Sequence, residues 1–304
     1  MSATDIPPAE MPPPVPDPQA TVPARRRWWR ALLADPTAAL AMLVLAAIAL
    51  AAVLAPLIAP HDPNANTRTV MLPPAWSERG TWEHLLGTDG QGRDILSRVL
   101  HGTRLTLLIG LVAVGIGGLV GSVLGLLSAM YPRIDPWVMR INDMLLSFPA
   151  ILLGLALVAI SGPGVLPVIV ALGIASIPDC ARIARSIGIG VMGQEYIEAG
   201  RAVGLSDWAI LRRYLLRNSI SSIMIFLSLR FGQIILIGAA LSFLGLGARP
   251  PASELGMMAA QGRDFLLFAP HIAAIPSVVI FVIVLCANIT GDALRDVLDP
   301  RLQS

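Results

Sequence analysis

Six apolar stretches divide this chain, and their lengths constrain its fold more than any other feature. A helix rises 1.5 Å per residue, so about 20 apolar residues cross a bilayer core about 30 Å thick. Apolar residues make up 55% of the sequence and charged residues only 14%, against about 25% charged in soluble domains. We therefore predict an all-α polytopic membrane protein with six transmembrane helices and both termini in the cytoplasm. The predicted spans are 38–59, 105–130, 144–161, 165–178, 220–246 and 272–289.

The N-terminal residues differ from the rest of the chain in composition. Residues 1–24 contain eight Pro and few bulky apolar residues, and Arg follows, so residues 1–30 are predicted to be a disordered cytoplasmic tail. The run 38–59 is longer than the 7–15 apolar residues of a signal peptide, which favours an uncleaved first transmembrane helix over that alternative. The predicted segments that follow are a first helix with a periplasmic loop and an interfacial helix (31–104), a transmembrane core (105–291) that includes a long inside loop (179–219), and a cytoplasmic tail (292–304).

Arginine positions orient the predicted spans. All 22 cationic side chains are Arg. With both termini in the cytoplasm, fourteen of them fall in inside segments and seven in outside segments, which agrees with the positive-inside rule. The absence of Lys from the sequence also excludes a P-loop, whose Lys contacts the nucleotide phosphates, and a Schiff-base Lys.

The sequence contains no recognisable metal, redox or catalytic motif. Cys180 and Cys286 form no C-x-x-C and are interpreted as unreactive thiols in the membrane. The histidines are scattered and form no H-E-x-x-H, so no metal-binding residue is predicted. The four histidines are His61, His84, His101 and His271.

Residues 87–104 combine a turn with a predicted short helix. The Gly and Asp cluster at 87–94 is typical of turns. Residues 95–104 are predicted to form an amphipathic helix on the membrane surface that leads into the second span, with Asp94 and Arg98 paired on one face.

Glycine recurs at every fourth position of the second predicted span. Such a stripe makes a flat helix face that a second helix can approach closely, and this interpretation is favoured over a ligand role. The residues of this stripe are Gly117, Gly121 and Gly125.

The inside loop 179–219 has the pattern of a helix–turn–helix. Residues 195–203 favour a helix, and Gly204 suits its end, where the chain turns through positive φ. Ser206 can cap a second helix over 207–216, with Asp207 at its positive end. The residues alone leave two interpretations open, a loop folded against its own spans or a docking site for a cytoplasmic partner.

Four motifs resemble those of ABC importer permeases of the peptide/nickel branch, and they occur in that family's order. Glu195, Ala199, Gly200 and Gly204 are similar to the EAA loop of the family. The other three resemblances are the Gly-Thr-Asp-x-x-Gly-Arg-Asp run that starts at Gly87, the Leu-Ser-Phe-Leu-Gly-Leu-Gly run that starts at Leu241, and the C-terminal segment 288–300.

The chain departs from the branch in a few places. The EAA loop of this branch often ends His-x-x-Pro-Asn, whereas this chain has Tyr214 and Arg217 before Asn218. Gly200 replaces the second small residue, usually Ala. Leu255-Gly256 and Pro276-Ser277 stand where Trp-Gly and Pro-Gly pairs are usual. These departures affect the expected docking geometry and leave the family resemblance intact.

The resemblance implies a type I-like ABC importer permease of the bacterial inner membrane. Such a chain forms half of a translocation pathway for short peptides, such as dipeptides, oligopeptides or glutathione-like peptides, with nickel or another small solute as the alternative. The implied partners are a second homologous permease, two ATPase subunits, a periplasmic substrate-binding protein and lipid, without nucleic acid. ATP is then used by the partner subunits, and this chain has no cofactor and is not an enzyme. The residues implied in coupling to the ATPase are Glu195, Glu198, Ala199, Gly200, Arg201, Gly204 and Asp207.

Arg230 lies near the middle of the fifth predicted span, where a charge is costly and usually faces a cavity or a partner. Gln233 is one turn further on and shares its face. Three interpretations are open: a pathway residue that meets substrate carboxylates, a pair with an acid on the partner permease, and a structural hydrogen bond to neighbouring carbonyls.

Two other function classes fit the sequence less well. A secondary transporter tends to show inverted repeats and broken helices, and no convincing repeat relates the two halves. A membrane-embedded enzyme would need paired acids or a Ser–His or His–Asp pair at helical spacing within a span, and the spans contain none.

Overall fold

The computed structural model describes residue 32 and residues 34–298, and this part of the chain is helical without strands. The predicted tail 1–30 lies outside the described residues, as do residues 299–304. The helices are α1 (Pro36–Val53), α2 (Ala55–Ile58), α3 (Ile95–Met130), α4 (Asp135–Leu146), α5 (Ala150–Ser161), α6 (Val165–Met192), α7 (Glu195–Ala202), α8 (Asp207–Ile210), α9 (Leu216–Phe243), α10 (Leu255–Gly262) and α11 (His271–Leu298).

Five helical segments of the described chain are long and apolar enough to cross a membrane. The pair α4 and α5 provides a sixth crossing if the two helices count as one broken span. The predicted all-α fold is confirmed, and the predicted number of six spans is reached only with this bent pair.

The third span differs most from its prediction. Residues 144–161 were expected to form one helix, but the chain bends by 86° between α4 and α5. Pro149 lies directly before α5 and has no N–H to donate, and a residue that precedes Pro avoids the helical region. The break therefore falls at Phe148-Pro149 for a local reason that an apolar run alone does not reveal.

The fourth span is longer than predicted, because Pro178 does not end it. The expected helix 165–178 continues as α6 to Met192, with Pro178 buried inside it. A Pro inside a transmembrane helix is tolerated where neighbouring helices and hydroxyl side chains satisfy the freed carbonyl groups. Fourteen residues that were assigned to the inside loop thus belong to α6.

Helix α3 is also longer than its predicted span. The interfacial helix expected over residues 95–104 is instead the first part of α3, where Ile95 and Val99 are buried in the core. Asp94 caps this helix by accepting a hydrogen bond from Ser97 N at 2.8 Å. Nothing in the sequence between Ile95 and Met130 breaks the helix, so the segment stays continuous.

The glycine stripe of α3 packs against α6, as predicted. A Cβ added at Gly117 would lie 2.6 Å from Ser176 Cβ, and one at Gly121 would lie 2.6 Å from Cys180 Cβ. These distances are shorter than any real Cβ contact, so the two helix backbones approach as closely as they do only because the stripe has no side chains.

The helix bundle has two ends, which we name after the termini of α3. The Ile95 end contains the long segment 59–94, the connection from α9 to α10, and the start of α11. A core cluster that includes Ile95, Leu255 and Ile272 lies here. The Met130 end contains α7, α8 and a smaller cluster that includes Met130 and Leu215.

Candidate functional site

Helix α7 forms the first arm of the predicted helix–turn–helix, and its C-terminus has a complete cap. Gly204 has φ +82°, which confirms the predicted positive φ. Leu205 N donates to Gly200 O at 3.0 Å, and Gly204 N donates to Arg201 O at 3.0 Å. These two bonds are the Schellman pattern, in which a left-handed residue closes the helix and satisfies its last carbonyls.

Gly200 has a packing role in the same turn. It is buried, and a Cβ added to it would lie 3.2 Å from Leu205 Cδ1. Leu205 thus packs over the small residue at position 200, the hydrophobic contact that accompanies such a cap. Ala, which is usual here in the family, would need Leu205 to shift by a few tenths of an ångström.

The second arm of the helix–turn–helix is not a separate helix. Ser206 caps α8 as predicted, with its hydroxyl accepting from Ala209 N at 3.3 Å. However, α8 passes through a π-helical turn at residues 211–215 directly into α9. The expected helix 207–216 is therefore the first part of the fifth span, so any displacement of this arm is a displacement of the span itself.

Most of the residues implied in coupling are exposed on the surface of the Met130 end. Ile197 is 1% exposed and holds α7 against the bundle. Val203 and Trp208 are apolar but 78% and 68% exposed. The exposed residues among those implied in coupling are Glu195, Glu198, Ala199, Arg201, Gly204 and Asp207.

Three polar or aromatic side chains connect α7 with the start of α9. The rings of Tyr196 and Tyr214 stack with their centroids 5.7 Å apart. Asn218 donates to Tyr214 O at 2.9 Å and to the Tyr196 hydroxyl at 3.4 Å. Tyr214, which departs from the family pattern, thus forms a contact that joins the two arms.

Leu215 links the same arm to the core of the Met130 end. It is fully buried in a cluster with Leu126, Ala184 and Ile223, which come from α3, α6 and α9. The second arm is therefore packed on two other spans, α3 and α6, at the start of its own span.

Arg230 forms an ion pair within this chain. Its Nη2 lies 2.7 Å from Asp179 Oδ2 on α6, and its Nη1 donates to Gln233 Oε1 at 2.8 Å. The guanidinium is 14% exposed and the Asp179 carboxylate 36% exposed. None of the three interpretations of Arg230 named Asp179, because a contact between two helices leaves no signal in the spacing of either sequence segment.

The pair lines a cavity of about 330 Å³ between α6 and α9. Arg182 lines it as well, and its Nη2 lies 2.6 Å from Asp143 on α4. Arg185, one turn further along α6, pairs with Asp135 at the start of α4. Two ion pairs thus hold α4 against α6 beside this cavity.

A second polar cluster lies at the Ile95 end, and the sequence reasoning missed its pairing. Arg98 was expected to pair with Asp94, but its Nε lies 3.4 Å from Asp89 Oδ2, and Arg93 Nε lies 2.8 Å from the same oxygen. Asp94 accepts a hydrogen bond as the cap of α3, and Arg98 pairs with Asp89 instead. The Gly and Asp cluster at 87–94 is therefore a folded structural element rather than a plain turn.

Comparison with known proteins places these features in a family. Residues 121–304 match the family model described as "binding-protein-dependent transport system inner membrane component". Residues 24–74 match a model described as the N-terminal transmembrane domain of oligopeptide transport permease C.

Two curated relatives align over nearly the whole chain. The glutathione transport system permease protein GsiD of Pectobacterium atrosepticum is 43% identical over 280 residues, covering 92% of each chain. The di/tripeptide transport system permease protein DppC of Pseudomonas aeruginosa is 38% identical over 294 residues, covering 96% of this chain and 97% of the relative.

Solved structures show the same fold. A chain of the inward-facing MetNI methionine ABC transporter superposes with a TM-score of 0.58 at 20% identity, covering 67% of this chain and 98% of that one. Together with the apolar helices, the relatives identify a multi-pass transport permease of the inner membrane, which is not an enzyme. The chain belongs to the family of binding-protein-dependent transport system inner membrane components.

Proposed function

We propose that this chain is half of the translocation pathway of an ATP-driven importer of short peptides. Its Met130 end faces the cytoplasm and binds an ATPase subunit through α7 and the turn at Gly204. Its Ile95 end faces the periplasm and receives substrate from a binding protein. A second, homologous permease and a second ATPase subunit complete the assembly.

The exposed helix–turn–helix is the observation that carries this proposal. Val203 and Trp208 expose apolar surface beside the acids Glu195 and Glu198 on α7. Apolar residues rimmed by charges are typical of a protein interface. Such a surface also fits a chain that has no Lys for a P-loop and needs an ATPase on another chain.

The contacts behind this surface support a coupling role. Tyr196 stacks on Tyr214, and Leu215 lies in the core where α3, α6 and α9 meet. Since the second arm continues into α9, a displacement at Trp208 is passed to the helix that carries Arg230. Coupling of this kind requires an element with two arrangements, one favoured by the ATPase and the other by the substrate. Helix α8 together with α9 is the candidate for this element.

Short peptides are the substrate class that we favour. The relatives at 43% and 38% identity are named for glutathione and for di/tripeptides. The cavity between α6 and α9 presents the carboxylate of Asp179 and the guanidinium of Arg230 side by side. Charges of both signs suit a zwitterion, whose carboxylate and amine can each take one side of the Arg230–Asp179 pair when the pair opens.

Co-purification and uptake test the proposal. The chain with Val203→Glu, co-expressed with the ATPase subunits of its host, should lose at least tenfold in ATPase retention, because a charge enters an apolar contact worth about 1.4 kcal/mol or more. Trp82→Ala is the matched control, since Trp82 is 82% exposed at the opposite end and should leave the ATPase bound.

Substrate class is measured on the intact complex in proteoliposomes with its binding protein. Uptake of a labelled dipeptide or of labelled glutathione should depend on ATP. An excess of unlabelled free amino acids should inhibit this uptake only weakly. Full ATPase retention by Val203→Glu would show that the helix–turn–helix is not part of the ATPase interface. Absence of ATP-dependent uptake of either peptide would refute the substrate class.

A further inference from the structure

Three side chains with metal-binding atoms converge at the Ile95 end, away from the cavity at Arg230. They are His61, which follows α2, His84 in the segment before α3, and Asp94, the N-cap of α3. One ligand atom from each lies within 4.8 Å of the other two. The sequence predicted no metal site because these residues are 10 to 33 positions apart and form no compact motif.

The distances between the ligand atoms fit a small metal ion. His84 Nδ1 lies 2.9 Å from Asp94 Oδ1, and His61 Nδ1 lies 3.8 Å from the same oxygen. Ligands at about 2.0–2.1 Å in a tetrahedral site lie about 3.3 Å from one another. The two distances to Asp94 fall on either side of this value, and the ligand atoms of the two imidazoles lie within 4.8 Å of each other, so side-chain rotations can bring all three atoms around one ion.

His61 provides the strongest sign that the arrangement is incomplete. Its Nδ1 is shielded from solvent and has no hydrogen-bond partner. A buried nitrogen without a partner costs free energy, and an ion between it and the carboxylate would remove that cost. His84 and Asp94 are almost completely buried, at 3% and 1% exposure.

Neighbouring hydrogen bonds hold the three residues in place. Ser97 N donates to Asp94 Oδ2 at 2.8 Å, which leaves Oδ1 for a metal. His61 N donates to Ser97 Oγ at 3.1 Å, so the backbone of His61 is fixed against the first turn of α3. Second contacts of this kind orient metal ligands and raise affinity.

We propose that His61, His84 and Asp94 bind a divalent transition-metal ion of the Zn²⁺ class. Two imidazoles and one carboxylate suit Zn²⁺, and water supplies the fourth ligand on the side where His61 is 30% exposed. To bind the ion through Nδ1, His84 must be the neutral tautomer whose proton lies on Nε2, and Asp94 must be the carboxylate. The ion joins the segment after α2, the segment before α3 and the start of α3 itself.

The test measures Zn²⁺ binding to the tag-free, full-length chain in detergent, by competition with a chromophoric chelator after treatment with EDTA. The wild-type chain should bind one Zn²⁺, and Co²⁺ in its place should give the visible absorption of a four-coordinate site. His61→Gln and Asp94→Asn should each weaken binding at least tenfold. Asn caps helices as well as Asp, so Asp94→Asn should remain folded.

His101→Gln is the matched control. His101 lies on α3 close to the cluster, but its Nδ1 is bonded to Ser97 O at 2.9 Å and it is not a ligand. This variant should bind Zn²⁺ as the wild type does. Zn²⁺ should also raise the unfolding temperature of the wild type and of His101→Gln, but not that of His61→Gln, because an ion that binds only the folded chain stabilises it.

Two results would overturn the site: a wild-type chain without stoichiometric Zn²⁺ binding, or a His61→Gln or Asp94→Asn chain with wild-type affinity. Neither result bears on peptide uptake, so the transport proposal stands or falls separately.

Discussion

Gly204 and Arg230 have roles that follow from backbone geometry and from charge. Gly204 adopts φ +82°, yet a Cβ added to it would have no atom within 4 Å. Position 204 therefore favours Gly because of its positive φ, and not because a side chain would clash with a neighbouring atom. Arg230 differs, because its constraint is a charged partner, Asp179, on a neighbouring helix.

Gly204→Val should cost about 1–2 kcal/mol in the turn, because a β-branched residue is strained at positive φ. We expect the protein to insert normally while peptide uptake falls and the ATPase binds more weakly. Uptake and ATPase retention are measured on the reconstituted complex.

Gly190→Val is the matched control for Gly204→Val. Gly190 is also exposed with no atom within 4 Å of an added Cβ, but it lies inside α6 and has no positive φ. Val there should leave uptake unchanged, since Val is a better helix former than Gly. Equal uptake by the two variants would show that the turn geometry at Gly204 has no part in coupling.

Exchange of the charges between Arg230 and Asp179 distinguishes a structural pair from a pathway residue. Arg230→Asp and Asp179→Arg should each destabilise the chain by about 1–3 kcal/mol, between the values of exposed and buried pairs. The double exchange should restore the unfolding temperature, because the two charges still meet. If Arg230 also contacts substrate, uptake should stay low in the double variant.

At the scale of elements, small residues and breaks determine how the helices meet. The stripe on α3 allows α6 to approach, whereas the third span breaks at Pro149 and the fourth continues through Pro178. The different outcomes at the two prolines have a physical cause. Pro149 precedes the first turn of a helix, where it is tolerated as a start, whereas Pro178 is buried among neighbouring helices that support the continuous α6.

Gly121→Leu should separate α3 from α6, since an added Cβ would already lie 2.6 Å from Cys180 Cβ. Overpacking typically costs 1–3 kcal/mol, and here backbones must also move, so we expect about 3 kcal/mol and a clear fall in unfolding temperature in detergent. Gly115→Leu is the control on the same helix, where an added Cβ meets no atom within 4 Å. A fall of similar size in both variants would show that the contact with α6 is not the cause of the loss of stability.

At the scale of the whole molecule, the sequence predicted the class and the order of the spans, and it predicted their ends poorly. Hydropathy located the five continuous crossings, because long apolar runs have few alternatives in a bilayer, and it missed the break in the third span. It could not place the ends of α6, because Asp179, Arg182 and Arg185 made that segment look like a loop. Each of these charges is paired with a residue distant in sequence, and such pairing is visible only in the folded chain.

In the candidate site too, features with a local sequence signature were predictable, and features that depend on tertiary contacts were not. Gly204 and Ser206 were predictable, because a helix end has a local signature in sequence. The continuation of the second arm into α9 was not, because the π-helical turn at residues 211–215 has no comparable signature. The pair between Arg230 and Asp179 and the cluster of His61, His84 and Asp94 depend on tertiary contacts alone.

The orientation of the whole molecule is tested by labelling exposed single cysteines. Val203→Cys at the Met130 end should be protected from an impermeant thiol reagent in intact cells, whereas Asn66→Cys at the Ile95 end should react. Both positions are exposed in the structure, and the two native thiols are buried, which keeps the background low. Labelling of position 203 from outside would invert the proposed topology.

The bend in the third span has a consequence for the surrounding lipid. Helix α5 has 12 residues and is therefore about 18 Å long, well short of a bilayer core of about 30 Å. Helix α4 runs at 86° to it and exposes Trp137 and Ile141, as a helix in the interfacial plane does. A membrane accommodates a short crossing by thinning around it. Bilayer thickness is thus a physical variable for this permease, and lipids of longer acyl chain should disfavour whichever transport state keeps this bend.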